Sequence, residues 1–169
     1  MKASELDWGE LPNFSPEEWP GGVLSQMSAD LVLCVQEVRR HTGPLYPSPV
    51  AGAHVRDSGA SRHSTEGGER LSDATDLFCE WRHVSDIVAE ALAHPGINGI
   101  GLYNAMIFRG GEPGDWAMVH LDARPPSEAA CWLGVGREPV RYTTVRPGEL
   151  MRRAINLQAQ HALYPRSNP

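Results

Sequence analysis

Trp116-Ala117-Met118-Val119-His120-Leu121-Asp122 is the stretch on which the reading of this chain turns. It reads as a strand, and Pro125-Pro126 breaks it just downstream. A strand puts alternate side chains on one face, so His120 and Asp122 point the same way. Upstream, residues 73–79 read as a second strand leading out of a polar loop into the core. On that strand Asp76 shares a face with Ala74, which is small enough to leave room beside an ion. His63 lies in the loop just before it. A loop histidine, a strand carboxylate and a strand histidine placed this way can converge on one side of a sheet. Zinc accepts that mixture of nitrogen and oxygen donors, and three protein ligands leave a fourth position open.

Elements on either side complete a fold. Met27, Leu31, Val35 and Val38 form one apolar stripe, which predicts a helix over about 25–41, stopped by Gly43-Pro44. Residues 45–51 read as a short strand interrupted by prolines, suited to an edge. A second helix is expected over 81–94, with Val84, Val88 and Ala91 on one face. Strands are expected at 100–103, 105–108, 132–135 and 140–145. A last helix starts near Pro147 and carries Leu150, Ala154 and Leu157. Short turns between the later strands favour antiparallel pairing. The expected fold is α+β, a small, mainly antiparallel sheet with helices on one face. Residues 1–22 read as an extended arm tacked down by Trp8, Phe14 and Trp19, residues 23–145 as the main domain, and 146–169 as a C-terminal helix and tail.

Composition narrows the function classes. The chain has 169 residues, and its 41% hydrophobic and 21% charged content is ordinary for a globular domain. A net charge of −6 and no Lys/Arg run argue against a nucleic-acid partner. No apolar run approaches the ~20 residues of a membrane span. Cys34, Cys79 and Cys131 are odd in number and widely spaced, so neither a disulfide framework nor a thiolate zinc site is indicated. The first residues show no apolar signal segment, which predicts synthesis in the cytoplasm. Oligomeric state is left open.

By spacing alone the metal signal is weak. Seven histidines in 169 residues make chance groupings easy, and a strand histidine is more often a hydrogen-bonded core residue. There is no H-E-x-x-H. The surrounding motifs add to it. Ser61-Arg62-His63, Ala74-Thr75-Asp76, Gly99-Ile100-Gly101-Leu102-Tyr103, Val119-His120-Leu121-Asp122-Ala123-Arg124 and the downstream Trp132 follow one another in an order. That order resembles the zinc D-Ala-D-Ala carboxypeptidase and peptidoglycan endopeptidase family, of the lysostaphin, D-Ala-D-Ala metallopeptidase and hedgehog superfamily. The resemblance covers roughly residues 25–135.

The resemblance implies a D-Ala-D-Ala metallopeptidase-like fold. It implies a Zn2+ ion held by His63, Asp76 and His120, and hydrolysis of an amide bond in a peptidoglycan stem or cross-bridge peptide. Asp122 is expected to orient a ligand histidine. Arg56, with Arg62 as a competitor, is expected to steady the developing oxyanion. Two departures stand out. His63 and Asp76 lie thirteen apart, so residues 64–71 must bulge outward as a loop. Family members often carry an acidic base three residues before the last histidine, where this chain has Ala117. Asp115, with Glu112 in the preceding turn, is the substitute expected from sequence. Without a signal segment, action at the cell wall or periplasm would follow phage-type release. Two rival readings remain: a non-catalytic phage structural or binding protein that keeps the fold, and a cytoplasmic zinc amidase.

Overall fold

The computed structural model describes residues 1–103, 116–135 and 140–163. Six strands form one sheet: β1 Tyr46–Pro47, β2 Ala74–Glu80, β3 Gly99–Tyr103, β4 Trp116–Asp122, β5 Ala130–Val135 and β6 Arg141–Val145. Their order across the sheet is β1-β2-β4-β3-β5-β6. The sheet is mixed: β3 and β5 run parallel, and the other neighbours antiparallel. The parallel pair arises because residues 123–129 carry the chain from the end of β4 across the start of β3. Asn98 pins that crossing by bonding Asp122 O, Arg124 O and Ala130 N. The expected strand at 105–108 lies outside the described residues.

Three α-helices accompany the sheet: α1 Ala29–Thr42, α2 Val84–Ala93 and α3 Pro147–Leu163. Strand alternation sends Leu77 and Cys79, Ile100 and Leu102, and Ala117, Val119 and Leu121 to one face. These residues pack with Leu31, Val35 and Val38 of α1, Ile87 and Val88 of α2, and Leu150 and Ala154 of α3 in one apolar core. Most are fully buried, and each large aliphatic side chain so placed contributes on the order of 1.5–3 kcal/mol. The opposite face carries Asp76, His120 and Asp122 beside a smaller apolar cluster of Phe78, Tyr103 and Met118.

Helix α1 starts later than its apolar stripe suggests. Val23–Ser25 forms a separate 3-10 turn, and the backbone at Gln26 and Ser28 bonds to Ser72 instead of joining the helix. Met27 is buried all the same. The helix ends where Gly43 takes φ 102, a conformation open mainly to glycine. The first 22 residues run through short 3-10 turns, and Phe14 and Trp19 are buried in the core.

Candidate metal centre

The pairing of β2 with β4 sets Asp76 directly opposite His120. Both point away from the helices, on the face that also carries Asp122, Gly101 of β3 and Trp132 of β5. His63 arrives from the loop. Its carbonyl accepts from Arg56 N at 2.8 Å, and Asp73 N reaches Arg62 O at 3.3 Å, which closes the interval between His63 and β2. Residues 66–69 bulge outward, exposed, in a turn with Gly67 and Gly68 at positive φ. Arg70 ties that bulge down by donating to Ser64 O and Ser61 O. The thirteen-residue spacing is thus compatible with a compact site.

His63, Asp76 and His120 form a buried cluster that can hold a metal ion. His63 Nε2 lies 3.2 Å from His120 Nδ1, His120 Nδ1 lies 2.8 Å from Asp76 Oδ1, and His63 Nε2 lies 3.7 Å from Asp76 Oδ1. Tetrahedral ligands at ~2.0–2.1 Å from an ion sit about 3.3 Å from one another, and this triangle brackets that value. With Nε2 turned inward, His63 leaves Nδ1 buried without a hydrogen-bond partner. Such a buried orphan is uncommon, and directing Nε2 at a cation is a physical reason for it.

Asp122 completes the second layer. His120 Nε2 donates to Asp122 Oδ2 at 3.1 Å, which leaves Nδ1 as the nitrogen available to an ion. Arg124 grips the same carboxylate through Nε at 2.7 Å and Nη2 at 2.5 Å, and lies over the Trp132 ring. Trp132 packs against His120 with ring centroids 4.8 Å apart. Glycines make this layer fit. A Cβ at Gly99 would come within 2.1 Å of Asp122, one at Gly101 within 2.5 Å of Trp132, and one at Gly134 within 2.4 Å of Tyr103. Three side chains thus lie flat on the sheet, each over a glycine of a neighbouring strand.

The electrostatics fit a cation site. Burial pushes the His63 pKa down to about 4, with the nearby His120 and Arg56 charges acting the same way, so this ligand is neutral at neutral pH. Burial also works against charge on His120, but bonds to Asp122 and Asp76 outweigh it and push its pKa up to about 9. Burial alone would raise Asp122, yet Arg124 and His120 hold it well below the usual carboxylate range. Asp76 is likewise opposed by burial and held low by the two histidines. Without an ion, protonated His120 donates Nδ1–H to Asp76 and Nε2–H to Asp122. A divalent cation at Nδ1 would take the place of the Nδ1 proton.

The other sequence candidates fall out differently. Arg62 is engaged by Asp73 at 3.3 Å and by Glu128. The Arg56 side chain donates only to the Gly52 carbonyl among the described residues and lies in the cleft wall beside His63 and His120. Asp115 and Glu112 lie outside the described residues. Ala117 is buried on the helix-packed face, because it stands an odd number of residues from His120. A carboxylate there would point into the apolar core. His54 does not reach the cleft. Its Nε2 donates to Ser48 O and its Nδ1 accepts from Thr75 Oγ1, an arrangement that fixes one neutral tautomer. Burial lowers its pKa. His161 stacks on Trp81 at 4.1 Å. The roles of the seating glycines were not assigned from sequence, because cross-strand register alone reveals them, and that of Arg124 rests on its side-chain contact with Asp122.

A cleft of about 770 Å³ opens over His63 and His120, and a second of about 470 Å³ reaches Asp76. No helix among the described residues is long and apolar enough to cross a membrane. Comparison with known proteins found no matching family model, curated protein or solved structure.

Proposed function

We propose that the chain is a zinc-dependent peptidase that hydrolyses an amide bond in peptidoglycan stem or cross-bridge peptides. The observation that carries the reading is the convergence of His63 Nε2, His120 Nδ1 and Asp76 Oδ1 at the floor of two adjoining clefts. The order of motifs, resembling that of the D-Ala-D-Ala metallopeptidases, is what directs it to peptidoglycan. When bound, zinc supplies a water activated near neutral pH and a Lewis acid for the scissile carbonyl. Hydrolysis adds the water's oxygen to the carbonyl carbon, breaks the C–N bond and delivers a proton to the leaving nitrogen.

The chain's own residues have separable roles in this scheme. Asp122 keeps His120 in the tautomer that offers Nδ1. Arg124 holds Asp122 ionised, and Trp132 limits rotation of the His120 ring. Arg56, in the cleft wall, is the donor to the developing oxyanion in this scheme. Asp115 is the proton acceptor in this scheme. Glu66 and Glu128, the carboxylates described in the cleft wall, are engaged by Arg70 and Arg62.

Purified sacculi incubated with the zinc-loaded protein should release muropeptides. Release no greater than that of His120→Ala at equal protein would refute the proposal. One finding favours a second reading, a metal-binding protein without catalysis: position 117 faces the core and offers no base. Asp115→Asn separates the two. Loss of release with zinc still bound supports the peptidase, while zinc binding with no release by either form supports the non-catalytic reading.

A further inference from the structure

Asp76 lies where the pairing of β1 with β2 gives out. Continued by one step, that pairing sets Ser48 opposite Asp76, with the N–H of each on the carbonyl of the other. Ser48 N does donate to Asp76 O, at 3.1 Å, but Asp76 N donates instead to Ala53 O, at 2.9 Å. Residues 49–52 loop out between the two contacts. The Ser48 carbonyl is thereby robbed of its ladder partner, and Ser48 is fully buried. A buried carbonyl left without a donor is costly. His54 Nε2 supplies that donor at 2.8 Å, and Thr75 Oγ1 donates to Nδ1 across the ring at 2.7 Å. Because a carbonyl only accepts, it is Nε2 that carries the proton. Ser72 Oγ donates to the His54 carbonyl, and the Trp19 ring packs edge-on against the imidazole, with centroids 5.4 Å apart.

His54 belongs to a four-residue strap, 53–56, that bonds the backbones of two metal ligands. At one end Ala53 O takes the Asp76 N–H, and at the other Arg56 N donates to His63 O at 2.8 Å. The pairing of β2 with β4 fixes Asp76 against His120, but His63 lies outside the strands. The strap therefore sets how His63 stands relative to Asp76. It also carries cleft wall: Ala53 lines the smaller cleft, and Arg56 lines both. Arg56 Nε braces Gly52 O at 2.8 Å, which fixes the 49–52 loop to the same strap.

We propose that His54 is a positioning residue of the metal centre: its imidazole pins the 53–56 strap and through it sets the spacing of His63 and Asp76 and the place of Arg56. This inference rests on the metal-site reading and not on hydrolysis, so its test reads metal binding and the imidazole itself. Zinc affinity is measured by chelator competition in the parent and in His54→Leu, His54→Gln and Val88→Ala. Leucine fills the space without hydrogen bonds, while glutamine offers an amide donor and acceptor in place of the two ring nitrogens. Val88→Ala removes core packing on α2 and controls for lowered stability alone. His54→Leu should bind zinc about 10–100-fold more weakly than the parent. His54→Gln should stay within about threefold of the parent, and Val88→Ala should match it. Parent affinity in His54→Leu overturns the proposal, as does equal weakening in Val88→Ala or no recovery in His54→Gln. Nitrogen NMR of the unaltered chain decides the matter where His54→Leu fails to fold. An Nε2–H tautomer with a ring proton protected from exchange is expected, and an Nδ1–H tautomer or a freely exchanging ring overturns the pin. A parent that binds no zinc overturns the metal centre and this role together, whereas zinc binding without muropeptide release overturns the peptidase reading alone.

Discussion

Replacing Gly101 with alanine tests how the site is built. Gly101 sits on β3 opposite both His120 and Trp132, and an added Cβ would lie 2.5 Å from the indole's Cε2 and Nε1 and 2.8 Å from Cζ2. Ordinary carbon contacts begin near 3.5 Å, so the ring must rise by roughly 1 Å. The backbone beneath is pinned by strands on both sides, so the movement falls on Trp132 and then on His120, against which it packs. Overpacking of this kind costs about 1–3 kcal/mol. At about 2 kcal/mol the Tm of a chain this size falls by roughly 4–8 °C. Because His120 is disturbed through its packing partner, zinc affinity should fall at least tenfold as well. Calorimetry of the metal-free protein and chelator competition read the two effects. Gly21→Ala, where nothing lies within 4 Å of the new Cβ, is the control and should change neither. Stability within 0.5 kcal/mol of the parent together with unchanged zinc affinity would refute the packing argument.

Four further outcomes are expected. Asp122→Asn should weaken zinc binding by about 10–100-fold, measured by chelator competition, because His120 loses the partner that fixes its tautomer. Ala117→Glu should restore no activity and should destabilise the fold by several kcal/mol in urea titration, since the carboxylate would enter the apolar core. In the metal-free protein, the His120 pKa raised to about 9 stabilises the fold fully below the unfolded value near 6.5 and ceases to do so as pH rises through 9. The His63 pKa lowered to about 4 has the opposite sense, its contribution being lost as pH falls from about 6.5 through 4. Zinc affinity should rise with pH up to about 9, as the displaced His120 proton becomes easier to remove. Urea titrations and zinc titrations across pH 4–10 check both trends.

Much of this was legible in residue types and their order. His63, Asp76 and His120 could be picked out from the order of motifs that resembles a metallopeptidase family, the residue types alone being a weak signal among seven histidines, and strand alternation placed His120 with Asp122. The α+β class and the apolar helix faces followed from periodicity. What escaped depended on register between strands, which no local pattern encodes. That Gly101 lies under Trp132, or Gly134 under Tyr103, follows only from the pairing of β3 with β5. The parallel sense of that pair was hidden too, because a short link suggests a hairpin while residues 123–129 cross a strand end. Arg56 and Arg62 were indistinguishable until the partners of Arg62, Asp73 and Glu128, came into view. The face of Ala117 could have been read: three residues from His120 on one strand, it points the opposite way.

The central claim is that His63, Asp76 and His120 hold one metal ion through two nitrogens and one carboxylate oxygen. X-ray absorption on the zinc-loaded protein, with stoichiometry by elemental analysis, tests it most directly. The account predicts one zinc per chain, two imidazole nitrogens and oxygen ligands near 2.0–2.1 Å, with loss of the ion in His120→Ala and Asp76→Ala. A chain that retains no zinc at micromolar concentration, or binds it equally well in those variants, would contradict it.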